Sequence, residues 1–552
     1  MSPPTVDKFL GEISHIIQQK NGVQLQDYLV IEPPLPELYK QIVNELRQAY
    51  PNTSSHEALE NKIKSFIPEN DDGENDVNVE NLLETHDMLK GLLKYMTLSF
   101  MGVTVLPTVI SLSRMLARLA IGLDKRPDLI ADLTRRESVG GEEAVERVTL
   151  VEGSANVIRE AFKKCLSERS GGPSGTDASG KPEGRRIGIY LTANLCLKLF
   201  FHCKKLRSAE QIFGNIYQQS PPLALFPASQ RVTYLYYLGR YLFANNHFYR
   251  AQLALQAAYD QCYKQSLSQR RSILIYLITS NIILGRFPSP VLWQQQVALG
   301  LQEKFQPICT AIAKGDLASF RKLTNVESEQ ASWFLQKRIL IQISNRCEIQ
   351  VWRSLARRTF LLSGSIGDAA NKIAPTMGLQ DMLTLAVYLE KKALDQQQIG
   401  LETSSFVNGG PGQAKHTNSI FMVGNNTNDN QQRSARTGYV DPDLERAIEL
   451  EPSLLPTLEL VESIAASMVE QDLLHGFLSH SSHRFAITGA KSAAPLQVGF
   501  PKVWDVIKAK ANMEVPGWVK EDKNAPSAMP GRFGPGMVVN LSGARPAGAA
   551  AG

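Results

Sequence analysis

The stretch LYYLGRYLFANNHFYRAQLALQAAYDQ, residues 235–261, decides the fold. It places Leu238, Gly239, Leu242, Phe248, Ala251, Leu255 and Ala258 at the spacing of a tetratricopeptide-like helical hairpin. Small residues let two antiparallel helices approach closely, and the large ones fill the groove between successive hairpins. An earlier stretch, IYLTANLCLKLFFHCKKLRSAEQIFGNIY (189–217), offers Phe200, Leu206, Ala209 and Phe213 at matching offsets, and a third pair is readable in 269–300. Degenerate copies in series predict a stacked α-solenoid. Helical pairs continue through 302–345, where CTAIAKGDLASFRKLTN (309–325) reads as helix, Gly-Asp turn, helix.

Beyond 345 the pattern changes. EIQVWRSLARRTFLL (348–362) puts Ile349, Trp352, Ala356 and Phe360 on one face and Arg346, Arg353 and Arg357 on a separate stripe. A second amphipathic helix covers 379–394, and a third, with Val461, Ile464 and Met468 inward, covers 456–476. GFLSHSSHRFAITG (476–489) then reads as a short hairpin in which Phe485 and Ile487 alternate with polar residues. Three helices followed by a hairpin is the order of a winged helix. The predicted organisation is therefore mostly α: an N-terminal helical segment (1–66), an acidic linker (67–81), a helical region (82–166) and a flexible loop (167–184). Helical repeats (185–345) follow, then a winged helix (346–490) interrupted by an insertion (396–440), and a C-terminal extension with a Gly/Pro-rich tail (491–552).

The 552 residues are 43% hydrophobic and 20% charged, ordinary for a globular chain and against wholly disordered or fibrous classes. Six scattered cysteines with no CxxC pair suggest neither a disulfide framework nor a zinc knuckle. The N-terminus lacks a basic segment followed by an apolar core, so no signal peptide is expected. The uncharged run from Tyr95 to Ser113 is interrupted by Pro107 and short of the roughly 20 apolar residues of a membrane span, so it is expected to be a buried helix pair. The linker IPENDDGENDVNVEN (67–81) invites a calcium loop, but no register supplies alternating oxygens, glycine at the sixth position and glutamate at the twelfth.

No catalytic constellation is legible. There is no GxSxG elbow, and Gly489-Ala490-Lys491-Ser492 lacks the upstream glycine of a phosphate loop. His475, His480 and His483 surround the hairpin without an HExxH glutamate or a cysteine to complete a metal set, so neither a metal nor a cofactor is expected. Basic residues are more informative: residues 231–286 carry seven Lys or Arg against Asp260 alone. Arg353, Arg357 and Arg358 on the first winged-helix helix, with His483 and Arg484 on the wing, are candidates for phosphate contact. Lys204, Lys205, Arg207, Arg231, Arg240, Arg250, Arg270 and Arg271 are candidates for an acidic partner. Glu459, Glu462, Glu470 and Asp472 fall in the third helix, where phosphates would be repelled; any nucleic-acid contact is expected at the wing and the first helix.

Three local sequences resemble the PCI-domain family, the scaffold subunits of the proteasome lid, the signalosome and a translation initiation factor. They are Gln230-Arg231-Val232-Thr233-Tyr234 with Tyr237-Leu238-Gly239-Arg240, the LIYLI run from Leu274 to Ile278 with Leu284-Gly285, and Gly476-Phe477-Leu478-Ser479-His480. The wording is most similar to the branch containing the PCI subunit of the transcription-and-export complex 2 and the signalosome-associated twelfth subunit. It covers about 185–395 and 450–490; the insertion and tail depart from the pattern. The resemblance implies a non-catalytic adaptor, helical repeats capped by a winged helix, bound to a larger PCI scaffold and a small acidic proteasome-lid-type protein. It implies service in messenger RNA export with RNA or DNA in the complex, in the nucleus at the nuclear pore and also in the cytoplasm, with no membrane partner. The alternative it implies is a protein-binding subunit associated with the signalosome or a proteasome-lid-like assembly.

Overall fold

The computed structural model describes residues 4–29, 41, 42, 45, 79–98, 102–125, 149–167, 176–177, 181–368, 373–390, 457–489 and 494–511. The insertion at 396–440, the tail from 512, and most of the acidic linker and of the 167–184 loop lie outside these residues. The chain divides into two compact units, one reaching Leu277 and the other running from Ile278 to Ala511.

The first unit is all helical in its long elements. It contains α1 (Pro4–Gln18), α2 (Gly22–Tyr28), α3 (Val79–Leu98), α4 (Leu106–Asp124) and α5 (Leu150–Leu166). α6 (Ile189–His202), α7 (Leu206–Gln219), α8 (Ala228–Ala244) and α9 (Phe248–Gln261) follow, and α10 (Leu267–Ile283) ends beyond the boundary. α4 is the one described helix long and apolar enough to cross a membrane. Its Val109, Leu112, Leu116, Ala117 and Ala120 are buried, and the helix packs against α3, α5 and α6. The break between α3 and α4 falls inside the uncharged run, as its Pro107 requires: proline lacks the N–H of a helix interior but suits a first turn.

Hairpin α8–α9 is closely packed. Leu238, Leu242, Phe248, Ala251, Leu255 and Ala258 are all buried, as the spacing predicts. Gly239 sets the closeness of approach, because a Cβ built there would lie 2.5 Å from Cγ and 2.8 Å from Cδ2 of Leu255, which is itself fully buried. Around the hairpin, Tyr234 meets Tyr190 and Phe213 edge-on at 4.9 and 5.7 Å between ring centroids. The aromatic residues interleaved with the basic ones here are thus largely core, not a platform for bases.

His86 on α3 is fully buried, with Nε2 2.7 Å from Ser154 Oγ on α5 and Nδ1 3.1 Å from Asp87. Burial lowers its pKa against the opposing effect of Asp87.

The second unit begins with the end of α10 and continues through α11 (Gln302–Lys314), α12 (Leu317–Thr324), α13 (Ala331–Lys337) and α14 (Leu340–Ser363). The expected Gly-Asp turn is present: Gly315 caps α11 in the left-handed conformation (φ 67°), and the Asp316 side chain accepts from Ser319 N–H to start α12. α14 is longer than the helix read from 348–362 and runs through the expected boundary at 345/346. α15 (379–390) and α16 (Leu458–Glu470) complete the three helices of a winged helix. Its sheet has three strands, β1 (Thr376–Gly378), β2 (Gly476–Ser479) and β3 (Arg484–Ile487), in the order β1-β3-β2 and antiparallel throughout. The hairpin was legible; β1 was not, since three residues before a helix carry no alternation. Its register sets Met377 opposite Phe485, and both are buried. Val461, Ala465 and Met468 give α16 its buried face, while Ile464 is half-buried.

The chain after the wing folds back onto this unit. Phe500 packs against Phe360 of α14 and Phe485 of β3, at 5.7 and 6.4 Å between rings. α17 (Val503–Lys510) follows, with Val503 seated on Gly285 and Trp504 under Arg286 at 4.5 Å. Gly285 has φ 78°, and a Cβ there would lie 2.6 Å from that of Val503, so both turn and contact require glycine.

Two outcomes are expected. Gly239→Ala gains about 1 kcal/mol of helix propensity but overpacks Leu255, for a net loss of about 1–2 kcal/mol by denaturant unfolding; in a Leu255→Ala background the clash is gone and Gly239→Ala should stabilise by up to about 1 kcal/mol. His86, with its folded pKa below the unfolded 6.5, contributes stability above pH 6.5 that is lost as pH falls through the folded value. His86→Gln should flatten the fall in unfolding midpoint between pH 7 and 5, and an unchanged slope would remove His86 from the acid response.

Candidate nucleic-acid and partner interface

The three arginines expected on the first winged-helix helix take different roles. Arg353 is half-buried and donates from one Nη to the carbonyls of Phe500 (3.0 Å) and Pro501 (2.6 Å). Burial, then the neighbouring Arg357, pushes its pKa down to about 10, so it stays charged at neutral pH. It clamps the returning chain and also lines the open cavity beside α14. Arg357 and Arg358, four and five residues on, are exposed. Arg358 touches the carbonyl of Lys314, at 3.4 Å, across from α11. Together with Lys314, Ser354 and Asp316, they line an open cavity of about 610 Å³ on the outer side of α14. Three outward cations against the single carboxylate of Asp316 make this concavity basic.

On the wing, Arg484 is exposed but His483 is not simply a surface group. Its backbone is left-handed (φ 47°), and its carbonyl accepts from Leu379 N–H at 2.9 Å, fixing the turn to the start of α15. Its Nδ1 lies 3.4 Å from Oε2 of Glu462 on α16, while His480 Nδ1 lies 2.6 Å from Oε1 of the same carboxylate. The His480 hydrogen bond holds the Glu462 carboxyl below the usual carboxylate range. Asp472 is likewise engaged, with Lys510 Nζ at 2.6 Å. Of the four carboxylates expected to repel phosphates from the third helix, two are thus engaged by local partners, and Glu459 and Glu470 are exposed.

The basic residues of the first unit also divide. Arg240 lies between the rings of Phe201, Tyr236 and Tyr276 at 4.8, 5.4 and 5.0 Å, a packing role and not a docking one. Arg270 stacks on Tyr259 at 4.1 Å and donates to the Cys262 carbonyl at 2.9 Å, closing the end of α9. Arg231 donates to Ala224 O at 3.0 Å, tying the preceding turn to α8. Lys205 pairs with Glu152 of α5 at 3.7 Å. Arg250 and Arg271 are half-buried, and Lys204 and Arg207 are exposed beside the α6–α7 turn. The expected stripe is reduced to a smaller exposed set because helices pack their long cations against carbonyls and rings.

Separating the arginines predicts separable phenotypes. Arg353→Ala should cost about 2 kcal/mol of stability, the worth of charge-assisted hydrogen bonds, whereas Arg357→Ala should change it little. Thermal unfolding of both variants checks this; equal, small effects would return Arg353 to the surface.

No family model matches the chain. A protein of Schizosaccharomyces pombe named as PCI domain-containing is 26% identical over 374 residues, 65% of this chain and 79% of its own length. A Gibberella zeae protein named CSN12 homolog is 29% identical over 214 residues, 38% of this chain and 44% of its own length. PCI domain-containing protein 2 of Xenopus laevis is 25% identical over 213 residues, 39% and 49% of the two lengths. The matched region spans about half or less of the latter two relatives. Helical repeats and a three-stranded winged helix agree with relatives named as PCI domain-containing proteins and CSN12 homologues, and the chain is similar to the PCI-domain family over these elements.

Proposed function

We propose that this chain is a non-catalytic scaffold subunit of a nuclear complex that couples transcription to messenger RNA export at the nuclear pore. In this reading it binds a larger PCI scaffold and a small acidic proteasome-lid-type protein, and contributes a basic surface to nucleic acid. The observation that carries the nucleic-acid part is the cavity beside α14, where Lys314, Arg357 and Arg358 are presented around an open concavity. Closely spaced cations on a rigid helix suit successive phosphates and carry no base information. The acidic exposed residues of α16, Glu459 and Glu470, oppose insertion of that helix into a groove, so backbone contact along α14 and Arg484 fits better than sequence reading. Lys204 and Arg207 offer the remaining surface for an acidic partner on the first unit.

A second reading, a protein-binding subunit associated with the signalosome, is favoured by the name of the CSN12 homologues among the relatives. The two part at the basic cavity. Arg357→Ser with Arg358→Ser should weaken binding of a single-stranded RNA by the assembled complex and reduce its log–log salt slope by about 1.4, at roughly 0.7 for each phosphate no longer neutralised. An unchanged slope, with a co-purifying signalosome scaffold in a tagged pulldown, would transfer the chain to the second reading.

A further inference from the structure

The histidines around the wing lacked a third ligand in the sequence; the fold supplies one from 18 residues upstream of His480. We propose that Glu462, His480 and His483 form a zinc site, with one carboxylate, two imidazoles and an open position for water. One donor atom from each residue lies within 4.8 Å of those of the other two. In a tetrahedral site with bonds near 2.0 Å, donors sit about 3.3 Å apart. Glu462 Oε2 and His483 Nδ1, at 3.4 Å, already meet that spacing. His480 Nδ1 stands closer, 2.6 Å from Oε1, and needs only a small ring movement; its side chain is 87% exposed, so nothing packed resists it.

The scaffold around the donors is fixed on both sides. Glu462 projects from the second turn of α16, whose start is capped by the Thr457 side chain accepting from Leu460 N–H. The turn His480-Ser481-Ser482-His483 is held by Leu379 N–H donating to His483 O and by the Ser482 hydroxyl donating to Ser479 Oγ at 2.7 Å. Two imidazoles three residues apart in a closed turn chelate with little further loss of chain entropy. The donor set selects the metal: two nitrogens and one carboxylate suit zinc, copper or nickel, whereas calcium and magnesium require a cage of oxygens. A bound divalent ion would cross-link the third helix to the wing turn and reverse the net charge of this cluster from negative to positive.

The test uses the full chain, without an affinity tag and stripped with a chelator. Cobalt(II) is the spectroscopic probe and zinc the competitor. One equivalent of cobalt should give the visible absorption of a four- or five-coordinate site, bleached by zinc. His480→Ala and Glu462→Gln should each weaken zinc binding by about tenfold or more, since even the loss of an outer-shell partner costs roughly 10–100-fold. His475→Ala, an exposed histidine beside the same hairpin, should bind as the wild type does. His480→Ala removes an exposed ring, so its metal-free melting temperature should match the wild type and exclude misfolding. Unaltered zinc affinity in His480→Ala and Glu462→Gln, or no cobalt absorption in the wild type, overturns the site and leaves a hydrogen-bonded latch between helix and wing.

Discussion

The guanidinium of Arg353, donating to the carbonyls of Phe500 and Pro501, is the interaction on which the second unit depends. A charged donor half-buried between a helix and a returning segment of chain requires compensating hydrogen bonds, and two backbone carbonyls accept from one Nη of Arg353. The clamp places Phe500 between Phe360 and Phe485, so one aromatic residue bridges the first helix of the winged helix and its central strand. It also carries the chain to Gly285, where the missing Cβ admits Val503. Winged helix and the end of α10 are thereby closed by a segment beyond the wing.

The same clamp decides which cations face outward. Residues 353 and 357 are one helical turn apart, carry identical side chains and both line the open cavity, yet Arg353 also holds the returning chain. Periodicity could put them on one stripe; it could not divide them, because the carbonyls that bury Arg353 lie 147 and 148 residues further on. Arg240 and Arg270 behave likewise in the first unit. Their long stems lie on tyrosine rings and their heads find aromatic faces or helix-end carbonyls, partners that leave no trace in charge counts.

What was legible followed from local periodicity. The α8–α9 hairpin, the Gly315-Asp316 turn and the β2–β3 hairpin each depend on residues within one short window. β1 and the returning segment were not legible because their stability is non-local: Thr376–Gly378 exists through pairing with Arg484–Ala486, far along the chain, and Phe500 is held by rings at 360 and 485. The helix start at Leu340 was missed for a related reason. Ile343 and Cys347 continue the buried face of α14, but they precede the change in pattern that marked the expected boundary.

The acidity of the third helix looks different once its neighbours are in place. Counted along the chain, four carboxylates repel any polyanion; placed in the fold, Glu462 is turned toward the wing histidines and Asp472 toward Lys510. Exposed carboxylates sit at Glu459 and Glu470, at the two ends of α16, and the cations sit on α14 and α11. At physiological ionic strength, charges farther apart than about 8 Å are largely screened from one another in solvent. A polyanion would therefore respond to the local sign of each helix and not to their sum, so the acidity of the third helix does not by itself set the sign of the surface along the first.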